Sequence, residues 1–326
     1  MTVLANLNPK GLQLGDLSSL AHLKGDTLEG QLKLFLVTCQ VENLSPRSVE
    51  DYGQKIGAFV DFCTGTLKIQ RPSEVTPNHI RLFLLGMQQR CKPVSVHGYY
   101  GCVCRFFNWL LQEGTLKASP MARMRPPKVP RHIIQPFKPE HIARLLTVCD
   151  SDAKTRSGFL GWRNRAIILT FLDTGLRLSE LANIQLRDID FDRETVKVMG
   201  KGSKERIVRI SKATQKAILM YWRARDDDLP HLWLTEERKP LQARGVQQMI
   251  ERIGKRAGVT NIRCSAHTFR HSFAIMALQN GMGEFSLQWL LGHSTLTQTR
   301  RYCGSLGANE AMAAHIKASP VERLRL

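Results

Sequence analysis

Between residues 177 and 302 the chain carries cationic and nucleophilic side chains in short motifs. Arg177 lies in Thr174-Gly175-Leu176-Arg177-Leu178-Ser179-Glu180-Leu181, and Lys201 in Gly200-Lys201-Gly202-Ser203-Lys204. His267 and Arg270 share His267-Thr268-Phe269-Arg270-His271. His293 sits in Leu291-Gly292-His293-Ser294, and Tyr302 follows nine residues later. Breaking a phosphodiester without a metal requires other cations to hold the extra charge on a pentacoordinate phosphorus. Two guanidiniums can do so through paired hydrogen bonds to the non-bridging oxygens, and Arg177 and Arg270 are the candidates. A tyrosine hydroxyl can attack phosphorus and leave again as a phenolate, so the covalent intermediate keeps the bond energy for rejoining. The departing oxygen needs a proton, which a lysine on a flexible turn can reach. Each residue alone has an ordinary reading: a surface arginine, turn lysines, a satisfied core histidine, an amphipathic-helix tyrosine. The ordered set is what points to chemistry.

Other motifs fall away. Gly200-Lys201-Gly202 lacks the upstream glycine and the following Ser/Thr of a P-loop, and no G-x-S-x-G elbow is present. Cys264, His267 and His271 form C-x2-H-x3-H, but no second cysteine cluster completes a structural zinc site, so no metal is expected. The eight cysteines are scattered without C-x-x-C pairs, which suits free thiols in a reducing compartment.

The chain has 326 residues, a length that suggests two domains. Its formal net charge is +19; +5 falls in residues 1–125 and +14 in the remainder. A strongly basic protein usually meets nucleic acid. No run of about 18 apolar residues is present, and the N-terminus lacks the basic and apolar regions of a secretory signal. A cytoplasmic, nucleoid-associated protein is therefore expected.

The elements that must position these residues can be read from periodicity. Residues 1–22 show no clear pattern and read as a flexible leader; residues 23–118 read as a helical domain. Ser45-Pro46 and Thr76-Pro77 are helix starts, a good N-cap before a proline at the first helical position. A third helix spans about 95–112. Residues 119–136 form a Pro-rich basic linker in which regular helix is disfavoured. Its Arg123, Arg125, Lys128 and Arg131 could lie along phosphates. Residues 137–326 form the second domain. Lys138-Pro139 opens a helix and 162–172 forms another. Thr195–Met199 and Arg206–Ile210 alternate apolar and basic residues around the Gly200–Lys204 turn, as strands of a hairpin do. Helices are expected again at 243–257, 268–279, 285–291, 295–302 and 308–317, with Trp289 and Leu290 as core packing. The fold is thus mainly α with a small antiparallel β-sheet.

The motifs resemble the tyrosine recombinase (phage integrase, Xer-like) family, over almost the whole second domain. The T-G-x-R-x-S-E-L box, the hairpin lysine, the H-x-x-R box, the L-G-H box and the tyrosine all appear in order. The resemblance implies a helical core-binding domain and an α+β catalytic domain that close around duplex DNA as a C-shaped clamp. It implies catalytic roles for Arg177, Lys201, His267, Arg270, His293 and Tyr302. Tyr302 would form a 3′-phosphotyrosine and Lys201 would protonate the leaving 5′ oxygen, with Lys204 the competing lysine. His267 would assist proton transfer from the tyrosine, His293 would hydrogen-bond the phosphate, and Glu180 would orient a neighbouring group. The expected activity is site-specific recombination of double-stranded DNA through a four-way junction, in integration, excision or resolution. The expected assembly is a homotetramer on DNA formed from monomers in solution. No metal or nucleotide cofactor is implied, because transesterification is nearly isoenergetic. The alternatives are a non-cutting architectural protein of this fold and a monomeric type IB-like topoisomerase.

DNA contact is expected beyond the active centre. The 243–257 helix carries Arg244, Gln248 and Arg252 opposite Val246, Ile250 and Ile253, a face that could read base edges. Lys204 joins the linker bases as a DNA contact. The last helix could pack in cis or onto a neighbouring protomer.

Overall fold

A computed structural model of the chain describes residues 26–130, 135–155, 158–200, 205–293 and 295–303. The leader 1–22, the expected helix 308–317, and Arg131, Lys201 and Lys204 lie outside the described residues. The chain divides into two compact units, Met1–His132 and Ile133–Leu326.

The first unit is helical: α1 (Leu28–Val41), α2 (Pro46–Asp61), α3 (Pro77–Gln88) and α4 (Pro93–Gln112). The start signals work as read. The Ser45 and Thr76 hydroxyls accept from the backbone N–H groups of Ser48 and His79, at 3.2 and 3.4 Å, and proline follows each cap. Helix α1 is capped in the same way, by the Thr27 hydroxyl. The apolar faces meet in a core of Phe35, Ile56, Phe59, Phe106, Phe107 and Leu110. Its aromatic rings pack mostly edge to face, as for Phe59 and Phe83 at 5.2 Å. The proline-rich stretch does not leave this unit at once. Met121 is buried in the core, Tyr100 Oη donates to the Met124 carbonyl at 2.6 Å, and His97 Nδ1 meets the Pro127 carbonyl at 3.0 Å. Arg123, Arg125 and Lys128 stay exposed.

The second unit runs α5 (Pro139–Ala153), α6 (Gly158–Thr174), α7 (Leu178–Ala182), β1 (Ile189–Asp190), β2 (Thr195–Met199), β3 (Glu205–Arg209) and α8 (Lys212–Arg225). It continues with α9 (Ala243–Arg256), α10 (Ala266–Gln279), α11 (Glu284–Leu291) and α12 (Leu296–Cys303). The three strands form an antiparallel sheet in chain order, with Val196 opposite Val208 and Val198 opposite Arg206. The main core holds Phe171, Tyr221, Trp233 and Phe269. The buried Trp233 indole donates to the Leu181 carbonyl at 2.8 Å and so fixes the end of α7.

A second apolar cluster binds α10, α11 and α12 together: Phe273, Ala274, Leu278, Leu287, Leu291 and Tyr302. This cluster corrects the reading of Trp289 as core. Leu287 and Leu291, one turn apart, form the buried side of α11. Phe285 and Trp289 form the opposite stripe, 75% and 60% exposed. Helix α8 is an addition to the sequence reading. Its signal was present: the Ser211 cap and Thr214, Ala217, Ile218 and Tyr221, all buried at helical spacing.

Candidate active site

The site is built around the C-terminal end of α11. The last carbonyls of a helix have no partner within it and carry the negative end of its dipole. Here three consecutive carbonyls each receive a different arginine. Arg206 Nε donates to Leu290 O at 2.9 Å, Arg270 Nη2 to Leu291 O at 2.8 Å and Arg177 Nη2 to Gly292 O at 2.8 Å. Arg270 Nη1 also donates to Gly175 O at 2.8 Å, joining the two glycine-containing boxes.

Two glycines make this crowding possible. Gly175 has φ +60°, and a Cβ there would lie 2.3 Å from Phe273 Cδ1. Gly292 closes α11 at φ +62°, and its Cβ would meet the Arg206 Nη1 at 3.2 Å and the Arg177 Nη1 at 3.5 Å. Each combines a left-handed backbone with close approach of neighbouring groups.

Among the described residues Glu180 is the one carboxylate bonded to these cations. Arg177 is the N-cap residue of α7, and Glu180 reaches back to its backbone N–H at 2.8 Å. Glu180 Oε1 also accepts from Arg177 Nη1 at 2.8 Å, while Arg206 grips both carboxylate oxygens at 2.9 and 2.8 Å. Burial would raise the Glu180 pKa. The hydrogen bonds from Arg206 and from the Arg177 backbone and side chain outweigh it and hold the carboxyl down at about 2. Three guanidiniums against one carboxylate leave an excess of positive charge. The neighbouring groups register it. Burial first, then Arg177, brings Arg270 down to about 10, still a cation at neutral pH. Burial first, then Arg270, Arg177 and Arg206, lowers the His293 imidazole to about 4, so it is neutral at pH 7.

Tyr302 lies on α12 against this end of α11 and is 7% exposed. Its ring stacks on His293 at 6.1 Å and meets the His271 ring at 5.2 Å. His293 Nδ1 is in turn hydrogen-bonded to Thr299 Oγ1 at 2.9 Å, which fixes the imidazole on the helix that carries the tyrosine. His267 is exposed in the first turn of α10; loss of water first, then Arg270 and Arg263, lower its pKa.

The structure therefore brings Arg177, Glu180, Arg270, His293 and Tyr302 together, with His267 within the electrostatic reach of Arg270. Arg244, Gln248 and Arg252 form an exposed stripe on α9. Their helix neighbours Gln247 and Arg256 are committed elsewhere, to Glu251 at 2.7 Å and to Asp152 at 2.7 and 2.6 Å. Two residues at the site were not assigned a role from sequence: Arg206 and His271. The sequence offered Arg206 only an ambiguous strand parity, which the pairing with Val196 and Val198 resolves. Val208 and Ile210 face the core, and Arg206 shares their side.

Residues 136–307 match the phage integrase family, and residues 32–115 match the phage integrase N-terminal SAM-like domain. The tyrosine recombinase XerC of Anoxybacillus flavithermus is 31% identical over 281 residues, 83% of this chain and 91% of that protein. XerC of Proteus mirabilis is 29% identical over 283 residues, 85% of this chain and 90% of that protein. A lambda integrase tetramer bound to a Holliday junction has the same fold, with a TM-score of 0.67 and 16% identity over 89% of this chain and 84% of that one. The chain belongs to the phage integrase family of tyrosine recombinases. It is a site-specific DNA recombinase.

Proposed function

We propose that Tyr302 is the nucleophile of a metal-free strand transfer in duplex DNA. Its hydroxyl oxygen attacks the scissile phosphorus while the bond to the 5′ oxygen breaks, leaving a 3′-phosphotyrosine and a free 5′-hydroxyl. A 5′-hydroxyl from the partner strand then attacks the phosphotyrosine, restoring a phosphodiester and the tyrosine. The observation that carries this reading is the Tyr302 ring held on His293 beside the arginine-capped end of α11.

Each side chain has a role suited to its state. A guanidinium has five N–H groups. Among the described residues Arg177 and Arg270 each commit two to Glu180 and the backbone carbonyls, and their other N–H groups serve the non-bridging oxygens. A neutral His293 can donate to a phosphate oxygen. His267 accepts the tyrosine proton, and Lys201 delivers a proton to the leaving 5′ oxygen, with Lys204 the competing lysine. The first unit and the bases Arg123, Arg125, Lys128 and Arg131 grip the flanking duplex, with Arg244, Gln248 and Arg252 contacting the groove or backbone. Four protomers exchange strands through a four-way junction. The likeness to the lambda integrase tetramer on a Holliday junction supports this assembly. Among the described residues no helix is long and apolar enough to cross a membrane. We place the protein in the cytoplasm, acting on chromosomal or mobile-element DNA.

The test is a nicked suicide substrate that traps the covalent complex. The wild-type protein gives a protein–DNA adduct; Tyr302→Phe binds the same DNA and gives none. An adduct that persists in Tyr302→Phe overturns the assignment.

A further inference from the structure

We propose that Arg206 is a positioning residue of the strand-transfer reaction, holding Glu180 and the end of α11 in one grip so that Arg177 and the His293 turn are set together. This rests on the site described under Proposed function and adds a member to it.

The first observation is where Arg206 sits. On β3 it faces inward opposite Val198, with its side chain 9% exposed. Its neighbour Ile207 points outward and is 53% exposed. A strand that buries its arginine and exposes its isoleucine reverses the usual order of burial. Burying a guanidinium is repaid only by good geometry, and a well-packed apolar residue would often serve stability as well.

The second observation is that each of its three guanidinium nitrogens donates within the protein. Nε donates to Leu290 O, Nη1 to Glu180 Oε1 and Nη2 to Glu180 Oε2. The planar fork matches the carboxylate, and the remaining edge reaches the helix end. An ammonium carries its three donors on one nitrogen and lacks the planar fork that spans the carboxylate and the helix end together. Through these bonds Arg206 acts on Glu180 and on the end of α11. Glu180 transmits its position to the Arg177 backbone and guanidinium. Leu290 O is two residues before Gly292, whose carbonyl also holds Arg177 and whose turn delivers His293. A Cβ at Gly292 would lie 3.2 Å from the Arg206 Nη1, so the turn passes close against this side chain.

The experiment measures, on the full chain, the single-turnover cleavage rate on the nicked suicide substrate at saturating protein, alongside DNA affinity. Arg206→Lys keeps the charge and loses the fork. It is expected to cut the cleavage rate on the order of 10- to 100-fold, as a misplaced catalytic group does, with DNA affinity nearly unchanged. Glu180→Gln is expected to lose rate as well, and Arg206→Lys in that background to add little, since both act on one element. Cleavage by Arg206→Lys at the wild-type rate overturns the proposal, and so do effects that multiply in the double variant. Absence of any adduct from the wild-type protein instead overturns the Tyr302 assignment, so the two failures read differently. A circular-dichroism melt accompanies each variant. Should Arg206→Lys not fold, Arg206→Gln measured in the same way carries the same comparison.

Discussion

Arg177 Nη2 donates to the carbonyl of Gly292 at 2.8 Å, across 115 residues of sequence. That bond joins the first arginine box to the turn that carries His293. Together with Arg270 on Leu291 O, it makes the end of one short helix the frame for both candidate phosphate-binding guanidiniums. Their remaining N–H groups are held without cost of reorganisation when charge develops on a phosphate. Arg177→Lys keeps a charge and loses the planar donors. It is expected to lower single-turnover cleavage about 100- to 1,000-fold, the usual scale for removing an oriented donor to a developing oxyanion. A quench-flow measurement of adduct formation at saturating DNA checks it.

The two glycines give a graded stability prediction. Gly292→Ala places a Cβ on a left-handed residue, which costs about 1–2 kcal/mol, with the Arg206 guanidinium 3.2 Å away and able to give slightly. Gly175→Ala adds to the same backbone penalty a Cβ 2.3 Å from the Phe273 ring inside a packed cluster. Overpacking of that kind costs roughly a further 1–3 kcal/mol. Urea unfolding of both variants should rank Gly175→Ala as the less stable. The reverse ranking would show that the Phe273 ring moves aside easily.

The fold was largely legible because its signals are local. Ser45-Pro46, Thr76-Pro77 and Lys138-Pro139 each mark a helix start, and the Val196–Val198 alternation marks a strand. The site was legible as motifs but not as geometry. Arg206 was missed because Ile207 and Val208 are both apolar, so the strand could be read with either parity. Only the pairing with Val196 and Val198 turns Arg206 inward. Trp289 was misplaced because α11 is apolar on both sides. Leu287 and Leu291 against the neighbouring helices, not the helix itself, decide which stripe is buried. His271 faces Tyr302 only because α12 returns to α10, a tertiary fact with no local signature.

His293 predicts how stability changes with mild acid. Burial, then Arg270, Arg177 and Arg206, hold its folded pKa at about 4, below the ordinary value near 6.5. Between those values the unfolded chain binds a proton that the folded chain does not, so stability falls as pH drops from 7 toward 4. His267, lowered in the same direction, adds to the slope. Glu180, held at about 2, loses its contribution only below the ordinary carboxyl range. Comparing urea midpoints at pH 7 and pH 5 isolates the histidines. His293→Gln should show a smaller drop between the two pH values than the wild type; an unchanged drop would mean that His293 is protonated in the folded protein.

The α9 stripe separates charge from readout. Arg244, Gln248 and Arg252 recur every four residues on the exposed side, opposite the buried Val246, Ile250 and Ile253. A cation on a phosphate releases counterions, and each such contact steepens the salt dependence of binding by about 0.9 in log–log slope on duplex DNA. Arg244→Ala and Arg252→Ala should each flatten that slope by about this amount if they meet phosphates. An arginine on a guanine edge would instead change which sequences bind, at about 1–3 kcal/mol per base. Gln248→Ala carries no charge change, so its slope should match the wild type while its preference among sites relaxes. Binding isotherms on the cognate and a scrambled site, from 50 to 200 mM salt, distinguish these outcomes. Unaltered slopes and preferences in all three variants would assign this face to solvent.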